Sequence, residues 1–207
     1  PQQRFLAATQ LHLDTQKKWM NTGTITLAYQ NIKESRIDRK FDSFDRSSEI
    51  ENVNVFSING DFKANPTKLE NRNFGYGFEM SYNDVNSTSK GEVLDVVGNK
   101  IVGVSGYFNT PTRYPDGGSS YLSSAIYMDY RQDVNEWSTL NTGIRLTNTV
   151  LQALWVDESF IQLPENDITV KNTAVTATVG YAIKPNENWQ INGVLSSGFR
   201  SPNIDDI

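Results

Sequence analysis

Thr173-Ala174-Val175-Thr176-Ala177-Thr178-Val179-Gly180-Tyr181-Ala182-Ile183, a break over Pro185 to Asn188, then Trp189-Gln190-Ile191-Asn192-Gly193-Val194-Leu195-Ser196: this stretch decides the fold. Both arms alternate with a period of two, which is the side-chain period of a β-strand. In the first arm Thr173, Val175, Ala177, Val179, Tyr181 and Ile183 oppose small or hydroxylated residues. In the second, Trp189, Ile191, Leu195 and Phe199 oppose Gln190, Asn192, Ser196 and Arg200, with Gly193 and Gly198 as gaps. A ribbon with one oily and one polar side fits a soluble sandwich or the wall of a membrane barrel, whose outside meets lipid and inside meets water.

Composition narrows the choice. With 207 residues and 37% hydrophobic content the chain is well outside the regime of disorder. A mean hydropathy of −0.51 and the lack of a long apolar run exclude a membrane-spanning helix. They say nothing against a barrel, because alternating strands average to polar. A net charge of −5 without a clustered basic face argues against a nucleic-acid partner. The absence of cysteine removes disulfides, thiolate metal sites and cysteine nucleophiles.

Working outward from the hairpin, eight candidate strands emerge, with connections that alternate short and long. Arg4 to Asp14 is a strand, followed by a polar break over Thr15 to Lys18. Trp19 to Arg39 is unbroken, with Ile25, Leu27 and Tyr29 on one face and Thr24, Thr26, Ala28 and Gln30 on the other. At ~3.3 Å per residue its roughly 18 residues measure about 60 Å, and a ~45° tilt leaves about 40 Å of height against an apolar band about 25 Å tall. The charged half, from Glu34 onward, is expected to stand clear of a membrane. Phe41 to Ser48 reads as a loop, Val53 to Lys63 as a strand, and Asn65-Pro66-Thr67 as a tight turn. Phe74, Tyr76, Phe78, Met80 and Tyr82 then oppose Gly75, Gly77, Glu79, Ser81 and Asn83, an aromatic-against-small split that suggests lipid. Asn86 to Ser120 reads as a long connection containing a small hairpin, Val93 to Val97 and Lys100 to Val104, around Gly98-Asn99, and closing in the turn cluster Arg113 to Gly118. Strands over Tyr121 to Gln132 and Trp137 to Val150, a second long connection over Leu151 to Val170, and the opening hairpin complete the series.

A second regularity accompanies the first. Trp19, Trp137 and Trp189, three of the four tryptophans, each directly follow a short turn and so fall on one rim of the sheet. Short turns at one end, long connections at the other and an aromatic girdle are the attributes of an outer-membrane barrel. The expected fold is therefore all-β, an antiparallel up-and-down transmembrane barrel segment over residues 1–207.

Catalytic chemistry finds no foothold. His12, the only histidine, lies between Leu11 and Leu13 on a regular strand, so it offers no triad. The acidic pairs Asp205/Asp206, Asp157/Glu158 and Asp42/Asp45 lack calcium-loop spacing. No phosphate loop, dinucleotide fingerprint or zinc spacing appears, so no enzyme activity, metal or cofactor is expected.

The motif after the last strand is more telling. In Phe199-Arg200-Ser201-Pro202, proline stops a β-ladder and holds Ser201 extended, while Arg200 carries a guanidinium to the polar side. The run from Ser196 through Phe199-Arg200-Ser201-Pro202-Asn203-Ile204-Asp205-Asp206 resembles the late barrel segment of TonB-dependent outer-membrane receptors, with Ser201 where alanine is commoner. Tyr29-Gln30 with Glu34-Ser35-Arg36 and Arg39, Val53-Asn54-Val55-Phe56-Ser57-Ile58-Asn59, and Tyr114-Pro115-Asp116-Gly117-Gly118-Ser119-Ser120 resemble other barrel strands of that family in the same order. The resemblance implies a barrel of about 22 strands filled by a plug, of which this chain is an internal slice without plug or TonB box. It implies an outer-membrane location, with lipid around the barrel, and coupling to the TonB complex through a plug outside these residues. It also implies import of a small-molecule ligand.

The ligand expected is an iron chelate, a siderophore or haem, held by Arg200 with Tyr107, Phe108, Arg113 and Tyr114 of the long connection through charge pairing and stacking. Haem receptors of the family carry a histidine between this box and a downstream Asn-Pro-Asn-Leu box, and the chain stops five residues after Pro202. Three alternatives stay open: a cobalamin or glycan importer of the same family, a complete eight-stranded barrel serving as adhesin or structural protein, and a soluble β-sandwich.

Overall fold

The computed structural model describes residues 1–65, 71–160 and 162–206. Nine strands build one sheet: β1 (Gln2–Lys17), β2 (Met20–Asp38), β3 (Asp45–Ala64), β4 (Arg72–Val97), β5 (Lys100–Phe108), β6 (Ser119–Asn135), β7 (Ser138–Leu154), β8 (Asp167–Asn186) and β9 (Trp189–Ser196). A 3-10 turn, Ile204–Asp206, follows. The order across the sheet is β1-β2-β3-β4-β6-β7-β8-β9, with β5 paired to β4. Each pairing is antiparallel. This is the up-and-down meander that the alternation predicts, and it makes the chain an all-β barrel-wall segment.

Register turns the alternation into two faces. Tyr29, Phe56, Tyr82, Leu122 and Val150 stand opposite one another across five strands, and Ile183 stands opposite Ile191. Val175 therefore shares a face with Ile191, which the hairpin reading requires. On this face, called the Phe78 face, rings form two groups: Tyr29 lies 4.9 Å from Phe56, while Phe62 stacks at 5.2 Å on Tyr76 and Phe74 lies 5.9 Å from Tyr76. Among the described residues no second layer covers this face. Ile126 is 60% exposed and Val175 62%, so each forgoes the ~1.5–3 kcal/mol that burial of a large apolar side chain supplies in a water-soluble core.

The apolar stretch has an upper limit. On β4 the Phe78 face runs Phe74, Tyr76, Phe78, Met80 and Tyr82, then becomes Asp84, Asn86, Thr88, Lys90 and Glu92 without a break in the strand. On β2 the change comes between Tyr29 and Asn31, and on β3 between Phe56 and Asn54. Most of the buried side chains lie on the other side, the Glu79 face. Val85, Ser87, Ala125, Thr147, Thr149, Leu151 and Ala153 form a small core there.

Two segments cover this core. A strap over 109–118 leaves β5 and reaches β6: the Tyr114 N–H donates to Ser87 Oγ at 3.4 Å, the Gly117 N–H to the Leu154 carbonyl at 2.9 Å, and the Leu154 N–H to the Gly118 carbonyl at 3.0 Å. Pro115 is fully buried. The C-terminal tail crosses from β9, with Ser201 Oγ 2.8 Å from Thr149 Oγ1 on β7.

Several boundaries differ from the sequence reading. Asn86 to Val97 is strand, because β4 continues upward against Asp45 to Asn52 of β3. Above the apolar band both faces see water, so no apolar alternation marks these residues as strand. For the same reason β3 begins at Asp45 inside the expected loop, and the second long connection shrinks to 155–166. β1 runs through Thr15 to Lys17 with an irregularity after Asp14. The small hairpin around Gly98-Asn99 is present, its second arm being β5. Val97 pairs with Lys100, and Gly98 has a φ of 60°, the left-handed value that a two-residue turn demands. β9 ends at Ser196, so Phe199 and Arg200 lie beyond the strand rather than at its tip. The expected turn at Pro66-Thr67 falls outside the described residues.

The topology places Trp19, Trp137 and Trp189 at the rim of short turns, and Trp155 at the opposite rim after β7. Backbone and side chain tie that first rim together: Tyr76 Oη donates to the Trp19 carbonyl at 3.0 Å, and Lys184 N to the Trp137 carbonyl at 2.7 Å.

Candidate functional site

The Glu79 face carries two polar clusters at different heights. The lower one lies behind the apolar band. Asp61, Gly77, Tyr127 and Arg145 fall in one register row across β3, β4, β6 and β7. The glycine is what lets the row close: a Cβ on Gly77 would sit 2.4 Å from both Tyr127 Oη and the Gly60 carbonyl. With that space free, Tyr127 lies across β4 and its hydroxyl donates to Asp61 on β3. Arg145 then bonds Glu79 Oε2 at 2.5 Å and Thr147 Oγ1 at 3.1 Å, with its guanidinium 5.6 Å from the Tyr127 ring. Every charge in this row has a partner, so the cluster reads as a structural girder on a wet surface.

The upper cluster lies under the strap. Glu34 of β2 stands opposite Glu51 of β3, which stands opposite Ser87 of β4. Arg36 Nε donates to Glu34 Oε1 at 2.7 Å, and that bond holds the Glu34 carboxyl below its usual range. Arg113 stacks on the ring of its neighbour Tyr114 at 5.1 Å. Burial raises the Tyr114 hydroxyl pKa, and the Asp205 carboxylate beside it raises it further, with Arg113 opposing.

The five ligand candidates separate. Arg113 and Tyr114 come together on the strap against the Glu79 face, with the tail's Asp205 next to Tyr114. Arg200 is 81% exposed at its side chain and reaches Asp206 Oδ1 at 2.7 Å, so its guanidinium staples the tail. The same Asp206 carboxylate accepts the Asn203 N–H at 2.9 Å. Tyr107 sits opposite Glu92, on the Phe78 side of the β4–β5 hairpin, with Lys90 Nζ 4.4 Å from its ring centroid. Phe108 pairs with Gly91 on the other side of that hairpin, its ring filling the place of a glycine side chain. Tyr107 is thus turned away from the Arg113–Tyr114 pair.

Acids surround that pair: Glu34, Glu49 and Glu51 from the strands and Asp205 from the tail, of which Glu49 and Glu51 carry no motif in the sequence. Their signal was present in the parity of each strand, since Glu34, Arg36, Glu49 and Glu51 all fall on the non-aromatic face. It is invisible until register sets the strands side by side. Among the described residues no group of three or more His, Cys, Asp or Glu side chains is arranged to hold a metal ion.

No protein-family model matches this sequence, and no curated protein matches it. Among solved structures, the copper transporter OprC matches with a TM-score of 0.72 at 10% sequence identity. The match covers 98% of this chain and 31% of OprC, so the chain spans about a third of that protein's length. At this identity the likeness establishes the fold: nearly the whole chain follows part of a larger structure's architecture.

Proposed function

We propose that the chain is part of the barrel wall of an outer-membrane importer of the TonB-dependent type. The observation that carries this reading is the change on β4, where one face passes from Phe74–Tyr82 to Asp84–Glu92 while the strand continues. A lipid-facing stretch of nine residues tilted by ~45° matches the length a transmembrane strand needs, about 9–11 residues. The remaining part of the strand stands in water outside. The Phe78 face meets lipid, and the Glu79 face lines the lumen, where Arg145, Glu79, Asp61 and Tyr127 remain hydrated. The three-tryptophan rim lies at the periplasmic interface and the strap at the extracellular end.

The role is binding and passage of a small molecule, with no catalytic step. The cargo proposed is an iron chelate, siderophore or haem, met by Arg113 and Tyr114 on the strap and by Arg200 once its contact with Asp206 opens. Coupling to TonB belongs to a plug outside these residues. The fold likeness to a metal transporter and the resemblance of the Phe199-to-Asp206 segment support the class, and the cationic and aromatic strap supports an anionic, planar cargo. The test is equilibrium binding of haem and of ferric siderophores to the full-length receptor. Arg113→Ala and Arg200→Ala are each expected to weaken binding by roughly 10- to 150-fold, the equivalent of one charge-assisted hydrogen bond at ~1.5–3 kcal/mol. Unchanged affinity in both variants, or no binding of either ligand class, would reject the iron assignment.

A further inference from the structure

Glu51 is 4% exposed, and neither of its carboxylate oxygens has a hydrogen-bond partner among the described residues. It lies above the apolar band, five positions beyond Phe56 on β3. Its register partner Ser87 is 2% exposed and is the side chain on which the strap docks, through the Tyr114 N–H. Two residues along β4, Ser89 Oγ donates to the Thr110 carbonyl. The strap is therefore laid along the β4 row beside Glu51.

The charges that face Glu51 come from every neighbour except β4, which presents the hydroxyls of Ser87 and Ser89. Arg36 and Glu34 belong to β2, Glu49 to β3 itself, and Arg113 to the strap. Tyr114 follows, with Asp205 of the tail beyond it. Neither cation is committed to Glu51: Arg36 is bonded to Glu34, and Arg113 lies over the Tyr114 ring. An ionised carboxylate sealed off in this way would be strongly unfavourable, so the docked strap demands the neutral acid. Burial indeed pushes the Glu51 carboxyl up, with Arg36 opposing the shift and Glu49 adding to it.

We propose that Glu51 is a proton-dependent positioning residue for the strap: as the neutral acid it seats residues 109–118 on β3 and β4, and as the carboxylate, whose charge has no hydrogen-bond partner in that seat, it takes up water and unseats them. The ligand-site consequence rests on the role given to Arg113 and Tyr114 above; the motion of the strap does not. The direction in pH follows from linkage. The unseated strap leaves Glu51 near its ordinary value of 4.5, while the seated strap holds it higher. Seating is therefore strongest below about pH 4.5, weakens as pH rises, and levels off once the seated acid itself ionises.

These 207 residues hold no cysteine, so once any cysteine elsewhere in the full-length receptor is replaced by serine, a single introduced thiol reports cleanly. Val85→Cys, in the core that the strap covers, is placed in that receptor in outer-membrane vesicles and labelled with a membrane-impermeant thiosulfonate. Its rate is divided by that of the exposed Ser159→Cys, which cancels the pH dependence of the thiolate. The ratio is expected to rise as pH increases from about 5, by no more than about tenfold per pH unit for a single proton. Glu51→Gln makes the ratio low and flat, and Glu51→Asp restores its slope. A flat ratio with Glu51 in place, or the same slope in Glu51→Gln, overturns the proposal. Amide exchange over residues 109–118, in the unmodified chain and in Glu51→Gln, gives the same reading without a cysteine, with the same two outcomes deciding against it. No ligand is present in either assay, so a failure here leaves the import reading to its own binding test.

Discussion

Substituting Phe78 by arginine tests the membrane reading where it is most exposed. Phe78 stands in the middle of the apolar run on β4, its ring over Gly60 of the neighbouring strand, where a glycine Cβ would come within 2.6 Å of it. Thr88 lies on the same face of the same strand ten positions higher, about 33 Å along it at ~3.3 Å per residue. If the lower half of the face meets hydrocarbon and the upper half water, one substitution has two very different costs. At the midplane an arginine costs about 2–4 kcal/mol, whereas at an exposed position in water it stays within about 0.5 kcal/mol. Phe78→Ala serves as the reference, because the loss of ring packing over Gly60 belongs to both variants and subtracts out. The expected difference between Phe78→Arg and Phe78→Ala is then about 2–4 kcal/mol, and that between Thr88→Arg and Thr88→Ala is near zero. The assay is equilibrium folding of the full-length receptor into phospholipid vesicles across a urea series, read by tryptophan emission. Equal costs at the two heights would mean that the Phe78 face is not in lipid. The chain would then have to be a soluble sheet that lacks its second layer.

Gly77→Ala is expected to destabilise by about 1–3 kcal/mol in the same folding assay, since its Cβ would overlap the Gly60 carbonyl as well as Tyr127. Gly180→Ala, on a strand paired on both sides and with its nearest neighbour, Val194, at an ordinary 3.5 Å from the added Cβ, is expected to stay near neutral. A double-mutant cycle between Glu79 and Arg145 should return a coupling of about 0.2–1 kcal/mol, because both partners are at least a third exposed; a value above that range would show the lumen to be drier than the sheet alone implies. On the β4–β5 hairpin, hydrogen bonds from Arg46 and Lys90 hold the Glu92 carboxyl below its usual 4.5. Its contribution is present above about pH 4.5 and disappears as pH falls through the lowered value, so amide protection over residues 90–108, taken relative to the intrinsic exchange rate at each pH, should fall on acidification. That is the opposite sense from the strap over Glu51.

The strands of this protein, their two faces and the rim of tryptophans are local properties, and they are legible in the sequence by itself. Phe74 to Tyr82 alternates large rings with small or polar residues at a period of two, and no partner has to be known to see it. The Phe199-to-Asp206 segment is likewise legible, since proline and the acidic pair mark a ladder's end wherever it lies. Beyond the apolar band the same logic fails: with polar residues on both sides of β4 from Asp84 onward, nothing in the alternation distinguishes a strand from a loop, and only pairing with β3 reveals it. The site depended on register in the same way. Glu34, Glu51 and Ser87 are far apart in sequence and become one row because a hydrogen-bonded ladder fixes which residue stands opposite which. Arg113 and Tyr114 were legible as a cationic and aromatic pair, but their seat over a buried acid was not, and neither was the turning of Tyr107 to the other face of its hairpin. Burial and contact across strands are properties of the assembled sheet, so the tertiary structure alone decided that Arg200 would staple the tail and that Glu51 would be left without a partner.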